Sequence, residues 1–144
     1  MTVKEFLNSV RTQEQEAIAI EEECKKIEYE IYGIKGLDIK EKVQSSHKGD
    51  LSELVERHEQ AMEKVVDEWN ALMSLREDAK RIIAMLADPD QRAILRRRYI
   101  LYQKWELIAV ETHQDLRWVY RLHGRALQEL ENTPEAKLTV ANRE

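Results

Sequence analysis

A chain of 144 residues with a net charge of −5 at pH 7, 42% hydrophobic and 35% charged, suffices for one ordinary domain, or for a small domain with a helical extension. Four glycines and two prolines, set against abundant Glu, Lys, Arg, Leu and Ala, exclude a meander of short strands and predict an all-α fold. One cysteine, Cys24, excludes an intrachain disulfide framework and any multi-cysteine metal site, and no apolar run nears the ~18 residues of a spanning helix.

The first segment, MTVKEFLNSVRTQEQ, lacks the apolar core of a signal peptide, and a soluble, cytoplasmic protein is expected. Residues 2–32 read as one long helix. Val3, Val10, Ala17, Cys24 and Ile31 recur every seventh residue, while Phe6, Gln13, Ile20 and Ile27 fill the second seam position. That 3-4 pattern predicts a narrow, coiled-coil-like stripe that needs a partner helix. On that stripe Cys24 reads as a small buried hydrophobe.

Gly33, Gly36 and Gly49 bracket a connection whose Ile34, Leu37, Ile39 and Val43 are expected to pack back. Its Ser45-Ser46-His47-Lys48 lacks the glycine-rich strand-to-helix turn of a phosphate loop and reads as ordinary loop. Asp50 and Glu53 then suggest a capping box opening a second long helix, about 51–87. Its seam runs Leu51, Val55, His58, Met62, Val65, Trp69, Leu72, Arg76, Ala79, Ile83 and Leu86, and predicts an antiparallel hairpin with the first helix. Residues 1–87 therefore read as an oligomerisation or partner-binding hairpin, 88–132 as a small separate module and 133–144 as a flexible tail.

Asp88 and Pro89 end the hairpin and start a third helix with Ile94, Leu95, Tyr99 and Ile100 inward. The adjacent Arg96, Arg97 and Arg98 point over too wide an arc to meet one ligand. After a turn at 102–104, residues 105–111 form a short helix, 112–114 a break, and Asp115 caps a longer helix. That helix carries Val119, Leu122, Ala126, Leu127 and Leu130 inward and Arg117, Arg121 and Arg125, four apart, along one face. From residue 92 to 125 there are eight Lys/Arg against three Asp/Glu, a basic island in an acidic chain. An apolar core beneath an arginine row suits a helix-turn-helix entering the DNA major groove.

These residues carry a family resemblance. Arg98-Tyr99, Ile108-Ala109, Asp115, Val119 and Arg125-Ala126-Leu127 resemble region four of bacterial sigma factors over about a third of the chain. With the N-terminal coiled coil, the whole chain is similar to the small phage-encoded RinA/ArpU-like transcription regulators of Gram-positive bacteria. It departs from the sigma pattern at Thr112, where an apolar residue usually plugs the turn, and at Trp118, where a small polar residue is usual. The resemblance implies that Leu116, Arg117, Tyr120 and Arg121 meet base edges, with Arg121 foremost; Arg125 is placed for a phosphate contact or a salt bridge, and Lys104 for phosphate. Trp118 reads as core.

The resulting expectation is a regulator of late-gene promoters that binds double-stranded DNA, its hairpin pairing with a second copy as a homodimer or with RNA polymerase. A phage DNA-packaging protein of the small-terminase kind and a helical interaction module without DNA are the alternatives. No enzyme is expected, because His47, His58, His113 and His123 lack HExxH or other ligand spacing and no nucleophile elbow occurs. No cofactor or metal is expected.

Overall fold

The computed structural model describes residues 1–36 and 47–144, apart from the side chains of 34–36 and 47–50. All regular structure among the described residues is helical, as the composition predicts: α1 (Val3–Gly36), α2 (His47–Ala84), α3 (Pro89–Leu95), a π-helical turn (Arg96–Ile100), α4 (Trp105–Glu111), α5 (Leu116–Glu131) and α6 (Pro134–Ala141). No helix of the described residues is long and apolar enough to cross a membrane. The expected packing-back of residues 37–43 and the loop reading of 45–46 lie outside the described residues. The capping-box reading is corrected in its register: α2 begins at His47, so Asp50 falls inside the first turn, and Glu53 pairs with Arg57 at 3.1 Å.

The chain forms two compact units, and their boundary differs from the division expected at residue 87. One comprises Met1–Gln13 with Leu72–Glu144; the other is Glu14–Ala71. The physical reason lies in stripe width. A two-helix seam needs only Val3, Phe6 and Val10 from the start of α1, yet Leu7, off that seam, is fully buried as well. In the same way Ile82, off the α2 seam, is buried beside Ile83. Adjacent apolar pairs such as Phe6-Leu7 and Ile82-Ile83 cover a wider arc than one neighbouring helix can use. The larger unit therefore has a core drawn from every helix, with Phe6, Leu7, Leu72, Ile82, Ile83, Ile94, Leu95, Ile108 and Leu130 among its fully buried side chains. Burying each of these large aliphatic or aromatic groups contributes roughly 1.5–3 kcal/mol.

In the smaller unit Ala17, Ile20, Cys24 and Ile31 of α1 are buried, and Cys24 is a free thiol whose ionisation burial pushes up. Opposite them, Leu51, Leu54, Val65 and Trp69 of α2 are only half-buried, and Val55 and Met62 are exposed. Ile31 and Tyr32, late in α1, share a groove with Val55 and His58, early in α2. His58 Nε2 lies 3.5 Å from Glu28 Oε1, within ion-pair range but without hydrogen-bond alignment.

The expected flexible tail is a second correction. Residues 134–141 form α6, which packs on α5, with Ala136 and Val140 buried. Pro134 occupies the first turn of the helix, where its missing N–H costs nothing, so it opens α6 rather than merely ending α5. Beyond it Arg143 binds Asp78 Oδ2 and Ser74 Oγ, each at 2.7 Å, and Lys137 binds Glu131 at 2.8 Å.

Candidate nucleic-acid interface

Helix α3 starts as predicted. Asp88 Oδ1 accepts from Asp90 N at 2.9 Å and Pro89 stands at the first helical position. Arg92 is absorbed by this junction: its guanidinium donates to the carbonyls of Leu86 (2.7 Å) and Ala87 (2.9 Å) left open beyond the end of α2. The π-helical turn then separates the three consecutive arginines. Leu101 N–H reaches Arg96 O at 3.0 Å, Gln103 N–H reaches Arg97 O at 2.9 Å, and Tyr102 takes a left-handed φ of 56°. Arg96 stays exposed. Arg97 pairs with Glu111 and approaches Gln103 at 3.4 Å. Arg98 donates to Gln103 O at 3.0 Å and lies 4.4 Å above the Trp105 ring centroid. The triplet thus holds the 101–104 turn against α4, and only Arg96 of the three points free of such work.

Helix α4 ends in a paired-carbonyl motif that fixes the turn into α5. Gln114 N–H bonds Ala109 O at 3.0 Å and His113 N–H bonds Val110 O at 3.2 Å, with His113 at φ 56° in the place where glycine is usual. Thr112 turns its hydroxyl back onto Ile108 O at 2.6 Å, which satisfies that hydroxyl without an apolar plug. Asp115 caps α5 as predicted, its Oδ1 accepting from Trp118 N at 2.7 Å.

Beneath the turn Ile94, Ile108, Ala109, Val119 and Leu122 form one buried cluster, with Trp105, Leu116 and Trp118 packed partly against it. The inward set on α5 matches expectation at Val119, Leu122, Ala126 and Leu130, while Leu127 is half-buried. Leu116, expected at base edges, is half-buried against this cluster and so has a packing role. Trp118 is half-buried there too, consistent with its core reading. Tyr120 is 46% exposed and leans on Trp105, ring centroids 5.2 Å apart. Lys104 is exposed immediately before α4 and makes no side-chain cap.

Arg117, Arg121 and Arg125 are exposed, and among the described residues no carboxylate or carbonyl accepts a hydrogen bond from them. Spaced by four, they stand about 6 Å apart along α5 at 1.5 Å per residue. They contrast with Arg92, Arg97 and Arg98, whose charges are spent inside the module.

One buried polar group escaped the sequence reading. His123 lies on the inner side of α5 and its Nε2 stands 2.7 Å from Tyr99 Oη, with Trp105 edge-on at 4.6 Å. Burial, then Lys4 and Arg98, lowers the imidazole to about 4, and burial pushes the Tyr99 phenol up to about 12. At neutral pH the tyrosine and the histidine are therefore both neutral, and the imidazole tautomer sets which of them donates. The signal was present in the spacing: position 123 is four after Val119 and three before Ala126, on the apolar stripe.

Among the described residues no group of three or more His, Cys, Asp or Glu side chains is arranged to hold a metal ion. No protein-family model, curated protein or solved structure matches the chain.

Proposed function

We propose that this protein is a DNA-binding transcription regulator of phage or prophage origin, acting on late-gene promoters as its RinA/ArpU-like resemblance implies. In this reading α4, the 112–114 turn and α5 are a helix-turn-helix resembling sigma region four, following a helical hairpin made by α1 and α2. The observation that carries the reading is the unpaired arginine row at Arg117, Arg121 and Arg125 on the outer side of a helix whose inner side is core. Arg121 presents its fork to a guanine O6/N7 edge, Arg117 lies next to it, and Tyr120 presents a half-exposed ring at the same level. Arg125 and Lys104 flank them as phosphate contacts. One such module makes few contacts, so a second copy or RNA polymerase supplies the remaining hold on the promoter.

The test compares substitutions in full-length protein by fluorescence anisotropy against its cognate fragment, selected from the source genome. Arg121→Ala weakens specific binding by about 1–3 kcal/mol and relaxes preference at one base position. Arg125→Ala weakens binding to all sequences alike. Unchanged affinity and site preference in Arg121→Ala would remove α5 as the reading helix.

A further inference from the structure

The smaller unit carries a second apolar stripe that its own two helices leave uncovered. On α1 it comprises Ile18, Tyr29 and Tyr32, interrupted by Lys25, and on α2 Val66 with Val55 and Met62, two positions of the expected seam that stay exposed. Tyr29 is 77% exposed, Tyr32 67%, Val66 53% and Met62 45%. The two stripes meet at one end, where Tyr32 and Val55 line the same groove of ≈ 200 Å³ with Glu28, Ile31 and His58. A second groove of ≈ 260 Å³, lined by Lys25, Glu28, Tyr29 and Tyr32, adjoins it and shares Glu28 and Tyr32. Exposed apolar side chains over roughly three to four turns of two neighbouring helices amount to more than scattered surface residues.

Charge selects the occupant. Residues 14–71 hold 16 Asp/Glu against eight Lys/Arg, and the exposed Glu59 and Glu63 flank the α2 stripe on its solvent side. A second copy would bring the same acidic rim to the face, and nucleic acid would bring phosphates to it. At the groove end Glu28, 3.5 Å from His58 Nε2 and beside Lys25, is shared between two tyrosine-lined hollows, and its half-exposed carboxylate suits a cationic side chain lying over an aromatic face. We infer that this face is the docking site for a basic amphipathic helix of a partner protein, apolar residues laid between Tyr32 and Val66 and lysine or arginine toward Glu28, Glu59 and Glu63. The flexible Met62 at the centre of the stripe suits a surface that adapts to its ligand.

The inference stands apart from DNA binding, since it uses no residue of α4 or α5. Its test uses the full-length protein and two labelled 18-residue synthetic helices. One carries leucine at 3-4 spacing with lysine elsewhere; the other replaces every lysine by glutamate. Anisotropy titration is expected to show binding of the lysine peptide at least tenfold tighter than of the glutamate peptide. Met62→Glu and Val66→Glu, both at exposed positions, are expected to weaken it at least tenfold with unchanged far-UV circular dichroism. Should either unfold, Tyr29→Ala, at the most exposed position, gives the same readout. Equal binding of both peptides, or affinity indifferent to the face substitutions, would overturn the proposal. So would a dimer, seen by light scattering, that Met62→Glu dissolves, because the face would then belong to a second copy.

Discussion

At the residue scale, two histidines illustrate opposite uses of one side chain. His113 sits at a left-handed φ of 56° with no glycine to relieve it, a conformation that costs an L-residue about 1–2 kcal/mol. His113→Gly is expected to raise stability by about 1 kcal/mol, the gain partly offset by the added freedom of the unfolded chain. A thermal melt checks this, and a lowered midpoint would mean that the imidazole itself holds the turn. His123, by contrast, is kept neutral under Tyr99 and Trp105 with its proton affinity lowered to about 4. The unfolded chain binds that proton near 6.5, so this contribution to stability is complete above pH 6.5 and declines as pH falls toward 4. Its size is at most on the order of 3 kcal/mol, taking 1.36 kcal/mol per pH unit. Urea titrations of His123→Leu should lose that slope between pH 6.5 and 4; a variant retaining the wild-type slope would place the titration elsewhere. Spacing alone put His123 on the inner stripe, but nothing in the sequence announces that a tyrosine 24 positions earlier meets its ring. The fate of Arg96, Arg97 and Arg98 was legible only as far as their wide arc, because the π-helical turn that separates them depends on long-range pairing with Glu111 and Trp105.

At the scale of elements, local capping chemistry was the readable part. Asp88-Pro89 and Asp115 act where their side chains can accept first-turn N–H groups, and both junctions fall where the sequence puts them. The same Pro rule applied to Thr133-Pro134 predicts the start of α6, but a polar eleven-residue end hides it, since α6 buries little beyond Ala136 and Val140. Deleting residues 134–144 exposes those two side chains' contacts and removes the Arg143 bonds to Asp78 and Ser74. The expected loss is roughly 2–3 kcal/mol by apolar burial, read as a lower urea midpoint. An unchanged midpoint would return this segment to the status of a frayed extension. Register at the start of α2 was not legible, because a cap signal at Asp50 competes with helix-forming residues on both sides of it.

At the scale of the whole molecule, the division of charge was visible from the outset, and the division of structure was not. Heptad counting assigns α1 and α2 wholly to a hairpin. Burial of Leu7 and Ile82 instead draws Met1–Gln13 and the end of α2 into the unit that carries α5. The basic island consequently sits in a unit with a broad core behind it, and the acidic excess is concentrated in Glu14–Ala71. If the arginine row serves DNA, binding must come from a few phosphate-directed cations in a chain whose net charge of −5 opposes it. The most direct measurement is anisotropy binding to source-genome fragments across salt concentration. With Lys104 and Arg125 on phosphates, about two counterions are released per protomer, and affinity falls about tenfold between about 50 and 200 mM salt. Tight binding to one fragment with that salt dependence is the result expected here. Absence of binding to every fragment at low salt, with and without RNA polymerase, would contradict the assignment of α5 to DNA.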